Sequence, residues 1–180
     1  MGVDKATMLF RGRAMVEIAV ETLQAVCAEV GISGNRDDLA AWATVVPELR
    51  VEAGPAAGIE AALAHASREW VMMLPVDLPL MRPELLQAWG DAVLVREDVQ
   101  ASYLVCGEEW HPAVCMVRRG CLELFRAELD AGDRKLTRIF GKLGEGLLAM
   151  DAGELMADVE RCFTNVNTPA ELRAAEQMAY

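Results

Sequence analysis

Apolar residues recur along this chain in two rhythms. In "RAMVEIAVETLQAV" (13–26) they fall at Met15, Ile18, Val20, Leu23 and Val26, close to the spacing of one helical face. "CAEVGISGNRDD" (27–38) shifts to a short apolar segment ending in Gly-Asn, which reads as a buried strand running into a loop. "GPAAGIEAALAHAS" (54–67) is Ala-rich behind Gly-Pro and predicts a helix with proline in its first turn. "EWVMMLPVDLPLM" (69–81) is a continuous apolar run closed by Pro-Val-Asp, the pattern of a central strand buried on both faces. "RPELLQAWGDAV" (82–93) returns to helix.

In the second half, "ASYLVC" (101–106) and "HPAVCMV" (111–117) are strand candidates around "GEEW". Helices are predicted over 119–132 and 134–144, and short strands or extended segments over 146–151 and 162–168. A last helix (169–180) has proline at its first position. This succession predicts a single α/β domain over residues 1–180, with helices layered on a mainly parallel sheet. Such sheets usually open with a strand; here a loop and a helix come first, so the first strand is expected to be missing. Ligand sites in these sheets form at the carboxyl ends of the strands.

Composition narrows the partners. The chain is 53 % hydrophobic and 25 % charged, enough for a sizeable core. Its net charge of −11 argues against nucleic acid and against a membrane surface, while a local cationic pocket for a small phosphorylated ligand remains open. No apolar run approaches the ~20 residues of a membrane span, and the start lacks the pattern of a signal peptide. Five cysteines with no Cys-x-x-Cys, and two distant histidines, make a zinc site a poor expectation. Free buried thiols in a reducing cytoplasm fit better.

Several residues suit phosphate chemistry. Asp77, at the end of the apolar run in "PVDLP", is placed to hold Mg²⁺, or to cap the following helix beside Pro79 and Pro83. Lys5, beside Asp4, is either a phosphate contact or a solvated lysine. The glycines of "GPAAG" allow close backbone approach to an anion, or only a tight loop. In "NVNTP", alternation puts Asn165 and Asn167 on one side, while Thr168, Pro169 and Glu171 form a helix start. His111 precedes a proline at a strand start. Arg134 and Arg138 share a helical face on which one anion could meet both.

The order of "MGVDKA", "GNR", "GPAAGIEAAL", "LPVDLP", "HPAVCMV", "AGDRKL" and "FTNVNTPAEL" resembles that of molybdenum cofactor guanylyltransferases, from residue 1 to about residue 175. The resemblance implies a Rossmann-like, three-layer nucleotidyltransferase that moves GMP from GTP to molybdopterin and releases pyrophosphate. It implies Mg²⁺ on Asp77, nucleotide contacts from Lys5 and from Asn35, and a molybdopterin side formed by His111, Arg134, Asn165 and Asn167. It also allows transient contact with molybdoenzymes or their chaperones. In the family a strand and a Gly-rich loop come before the stretch matching Met1-Gly2, which implies a start inside the family pattern and impaired transfer. The segment before "GPAAG" is shorter than in the family, with Glu52 the nearest carboxylate. That leaves a cytidylyltransferase of the same fold, or a non-catalytic pterin- or partner-binding protein, as alternatives.

Overall fold

The computed structural model describes residues 4–50 and 53–178. Its first paired elements are β1 (Leu9–Phe10) and β2 (Arg13–Ala14), an antiparallel hairpin. Arg11 and Gly12 turn it with φ of 49° and 79°, the conformation of a tight two-residue hairpin turn. This hairpin displaces the start of the predicted helix: α1 spans Met15–Gln24 rather than 13–26. Strands of two residues carry no period that a sequence pattern can reveal.

The next apolar segment narrows to β3 (Gly31–Ser33), which pairs in parallel with β4 (Thr44–Val46). The sequence reading missed β4, because three apolar or β-branched residues before Pro47 are too short to stand out. Helix α2 (Pro55–His65) has proline in its first turn as expected. Strand β5 (Trp70–Met73) keeps only four residues of the apolar run at 69–81. Its residues are half-buried rather than buried on both faces, which corrects that expectation.

Then follow α3 (Pro83–Leu94), β6 (Ala101–Cys106) and β7 (Glu109–Arg118). The β6–β7 turn places Gly107 at φ +59°, which a side chain would resist. Beyond it lie α4 (Leu122–Asp130), α5 (Leu136–Gly141), β8 (Leu147–Asp151), α6 (Ala152–Leu155) and α7 (Pro169–Glu176). The segment at 162–168, expected as a short strand or extended segment, is the end of a 3₁₀ turn, Glu160–Phe163, and an extended stretch outside all three sheets.

The larger sheet has the order β5-β7-β6-β8. Strands β5, β6 and β8 run in one direction, and β7 runs against them because it returns from the β6 hairpin. The result is a mixed sheet between two helical layers. Period-two alternation along β7 divides the core. Cys115 and Val117 face α2, α4 and α5 with Ile59, Phe125 and Phe140. Val114 and Met116 face α3 with Leu85, Leu86 and Trp89. Buried Trp89 donates its indole N–H to Ser102 Oγ at 3.0 Å, which satisfies both polar groups inside that layer.

Among the described residues, β5 pairs only with β7, and β3 only with β4. A cavity of about 1210 Å³ lies along them, lined by Ile32 and Ser33 from one sheet and by Trp70–Met73 from the other. No helix among the described residues is long and apolar enough to cross a membrane.

Candidate active site

Past β5 the chain reads Leu-Pro-Val-Asp, and Pro75 ends the strand so that Asp77 sits beyond its carboxyl end. Helix α3 starts at Pro83 with Arg82 in its cap position, so Asp77 does not cap it. Its backbone carbonyl instead accepts a hydrogen bond from Val166 N at 2.9 Å. Its carboxylate, 21 % exposed, meets Lys5 Nζ at 3.0 Å from Oδ2. The same ammonium donates to Asn167 Oδ1. Residues 72 and 162 positions apart in sequence thus converge on one cation.

Asn167 is aimed by its neighbours. Its backbone N–H and that of Thr168 both donate to Glu171 Oε2, at 2.8 and 3.0 Å, while Glu171 N donates to Thr168 Oγ1 at 3.2 Å. This is the reciprocal capping box at the start of α7. The N–H of Asn167, more than any other group, holds the Glu171 carboxyl below its usual range. Val166 is fully buried against Phe10, Met15 and Leu80, which leaves Asn165 and Asn167 exposed on either side of it. The helix start and the outward asparagines therefore coexist.

Across the cavity, Ser33 Oγ donates to Glu48 Oε1 at 2.7 Å. Asn35 holds Glu48 by its backbone, donating to Glu48 O at 3.0 Å and accepting from Glu48 N at 3.1 Å. Ser33 and Glu48 line the cavity; Asn35 stands behind them as a clamp. A Cβ on Gly58 of α2 would come within 2.7 Å of Ser33 Oγ and 3.3 Å of Glu48 Oε1, so the pair fits only against glycine. Glu52 lies outside the described residues. Glu48 is the carboxylate that sequence reasoning missed; its only signal was a position just after the unrecognised β4 and Pro47.

Arg36 closes this wall onto the Lys5 segment. Its guanidinium meets Asp4 at 3.1 and 2.8 Å and Asp38 at 2.7 Å. The Arg36 hydrogen bond, helped by Thr7, holds the Asp4 carboxyl down at about 2.

The third side of the cavity carries His111, Trp110 and Arg134. His111 stacks on Phe163 with ring centroids 4.3 Å apart. Its Nε2 is buried with no hydrogen-bond partner among the described residues. Burial pushes the imidazole below its ordinary range, against a smaller opposing pull from Glu109. Trp110 is 62 % exposed, an apolar ring open to the cavity. Arg134 and Asn165 also line it, but Arg138 does not: it is paired with Asp133 at 2.9 Å, so the two arginines are not joined over one anion as expected.

Among the described residues, no serine or cysteine of the cavity is hydrogen-bonded to a histidine; Ser33 donates instead to Glu48. The five free cysteines are half-buried or buried, and burial pushes their thiols up, away from the thiolate form. Among the described residues, no group of three or more His, Cys, Asp or Glu could hold a metal. A lone carboxylate can serve only a hard ion that keeps most of its waters and takes phosphate oxygens as further ligands, and Asp77 is already paired with Lys5.

The family model described as the MobA-like NTP transferase domain matches residues 1–147. The chain belongs to this family. Relatives of this MobA-like chain include the molybdenum cofactor guanylyltransferase of Photobacterium profundum, 29 % identical over 175 residues, covering 96 % of this chain and 86 % of that protein. The enzyme of the same name from Vibrio vulnificus is 27 % identical over 180 residues, covering 98 % and 88 %. Among solved structures, the molybdopterin-guanine dinucleotide biosynthesis protein A of Archaeoglobus fulgidus superposes with a TM-score of 0.75 at 20 % identity, covering 96 % of this chain and 88 % of that one. At that identity the likeness shows the fold. The MobA-like chain thus has the α/β nucleotidyltransferase fold expected from its sequence, and the family is one of nucleotidyltransferases.

Proposed function

We propose that this chain is a molybdenum cofactor guanylyltransferase, transferring GMP from GTP to molybdopterin with release of pyrophosphate. The observation that carries the reading is the convergence of Lys5, Asp77 and Asn167 at the end of β5, beside a cavity that also holds Glu48, His111 and Arg134. The names of its relatives, molybdenum cofactor guanylyltransferases, support a guanylyl donor and the molybdenum cofactor as acceptor. Nucleotide and acceptor have separate walls in this reading. Glu48, set by Ser33 and Asn35, faces the nucleotide; Trp110, His111, Arg134, Asn165 and Asn167 face molybdopterin.

Asp77 would hold Mg²⁺; its position beyond the end of β5, at the cavity, supports that reading. The ion supplies charge neutralisation on the triphosphate. Lys5 does the same for the oxygens on which charge builds as a molybdopterin phosphate oxygen attacks the α-phosphorus of GTP. One P–O bond forms, the α–β bridging P–O bond breaks, and pyrophosphate leaves with the electron pair. Asn165 and Arg134 orient the acceptor so that attack is in line. No covalent enzyme intermediate is needed, because the acceptor phosphate is itself the nucleophile.

Asp77→Asn keeps the shape of the side chain and removes its charge. It should lower conversion of GTP and molybdopterin to the guanine dinucleotide by at least ~100-fold, as loss of one electrostatic contact to a transition state does, with thermal unfolding near that of the parent. Undiminished turnover would refute the assignment of Asp77. Calorimetry with GTP, CTP, ATP and UTP tests the base. The fold also occurs in a structure titled as a synthetase complexed with CTP, at a TM-score of 0.75 and 12 % identity, so a preference for CTP would replace the guanylyl reading with a cytidylyl one.

A further inference from the structure

A side-chain cation already stands on Asp77. Lys5 Nζ lies 3.0 Å from Oδ2 and also donates to Asn167 Oδ1. A divalent ion on the same carboxylate would meet that ammonium at close range, where like charges repel by kcal/mol even when well screened. The two cations therefore compete for the charge of one carboxylate, on which Lys5 engages Oδ2.

The backbone around Lys5 cannot move aside easily. Asp4 is gripped by Arg36 through both carboxylate oxygens. Ala6 O accepts from Val16 N at 3.0 Å, and Lys5 O from Met8 N at 3.3 Å. What can move is the side chain, 40 % exposed on a four-carbon stem. Its ammonium sits on Asp77, which lines the cavity.

We propose that Lys5 is a placeholder cation. It occupies Asp77 until a nucleoside triphosphate draws its ammonium onto phosphate oxygens, and only then is the carboxylate open to a divalent metal. Metal and nucleotide consequently bind with positive coupling, carried by one side chain and reciprocal between the two ligands. The inference rests on Asp77 being the metal ligand. Asn167 gives the ammonium a second acceptor at rest, so the displaced state gives up two hydrogen bonds, which phosphate oxygens would replace.

Mn²⁺ binding to the whole chain, followed by the electron paramagnetic resonance of the free ion, tests this without turnover. With no nucleotide present, Lys5→Met should bind Mn²⁺ on the order of tenfold more tightly than the parent, because the competing charge is gone. Adding GTP with a methylene in place of the α–β bridging oxygen should tighten Mn²⁺ strongly in the parent and less in the variant. Lys5→Arg, which keeps a cation on Asp77, should bind Mn²⁺ no better than the parent and guards against a folding defect of the methionine variant. Lys5→Met binding no tighter than the parent, or nucleotide enhancement undiminished in it, overturns the placeholder role. Asp77→Asn that binds Mn²⁺ as well as the parent instead overturns the metal assignment itself, so the two failures are distinguishable.

Discussion

Val166→Ala probes how the site is held together. Val166 is fully buried among Phe10, Met15, Leu80 and Ala175, and its N–H donates to the Asp77 carbonyl at 2.9 Å. The side chain and the backbone bond together pin the Asn165–Asn167 stretch onto the Asp77 loop. Removing two buried methyl groups forfeits ~1.6 kcal/mol of transfer free energy. The void they leave adds up to about 1 kcal/mol, at ~24 cal/mol per Å³ of cavity that fails to collapse. The expected loss is about 1.5–2.5 kcal/mol, a fall of roughly 3–10 °C in Tm for a chain of this length. Urea unfolding at fixed pH measures the free energy, and differential scanning calorimetry the temperature. Because Asn167 shares Lys5 with Asp77, affinity for GTP with Mg²⁺ should fall several-fold in the same variant. A stability loss below about 0.5 kcal/mol, the level of an ordinary surface change, would refute the view that Val166 is the anchor.

The cavity walls give three further predictions. Gly58→Ala should break the Ser33–Glu48 contact, because its Cβ would stand 2.7 Å from Ser33 Oγ; the cost is about 1–3 kcal/mol by overpacking, with GTP affinity falling in calorimetry. His111 is held neutral by burial, so its folded-state pKa lies below its ordinary value of 6.5 and the unfolded chain binds the proton more readily. Stability from this group is therefore present above pH 6.5 and lost as pH falls below it, and urea titrations from pH 8 to 5 should show a shallower loss in His111→Gln than in the parent. Trp110→Ala should leave stability within about 0.5 kcal/mol but weaken molybdopterin about tenfold, in line with ~1–3 kcal/mol for a flat heterocycle stacked on an aromatic ring; equal affinities would remove Trp110 from the acceptor wall.

Much of this was legible from residue order. The helices α2, α3 and α7 announce themselves through proline at their starts, and the fold class through their alternation with apolar segments. Asp77, Lys5 and the two asparagines were legible as candidates beside plainer readings as cap, solvated lysine or helix start, and the family resemblance was what gave them roles. The Thr168–Glu171 cap was equally plain, since its partners are three residues apart.

What stayed hidden depends on contacts between distant residues. The two-residue hairpin and β4 are too short to carry a period, and only pairing makes them strands. The burial of β5 could not be read from its composition, because apolar residues describe what a strand would bury and not which neighbours stand beside it. Glu48 became a candidate only when Ser33, Asn35 and Gly58 were seen around it. Arg138 was lost to a local acid that the helical spacing ignored. The sequence by itself determined which residues have the right chemistry, since charge and hydrogen-bonding capacity belong to the side chain. The tertiary structure decided which of them act together, since a hydrogen bond reaches about 3 Å and only the folded chain brings Lys5 that close to both Asp77 and Asn167.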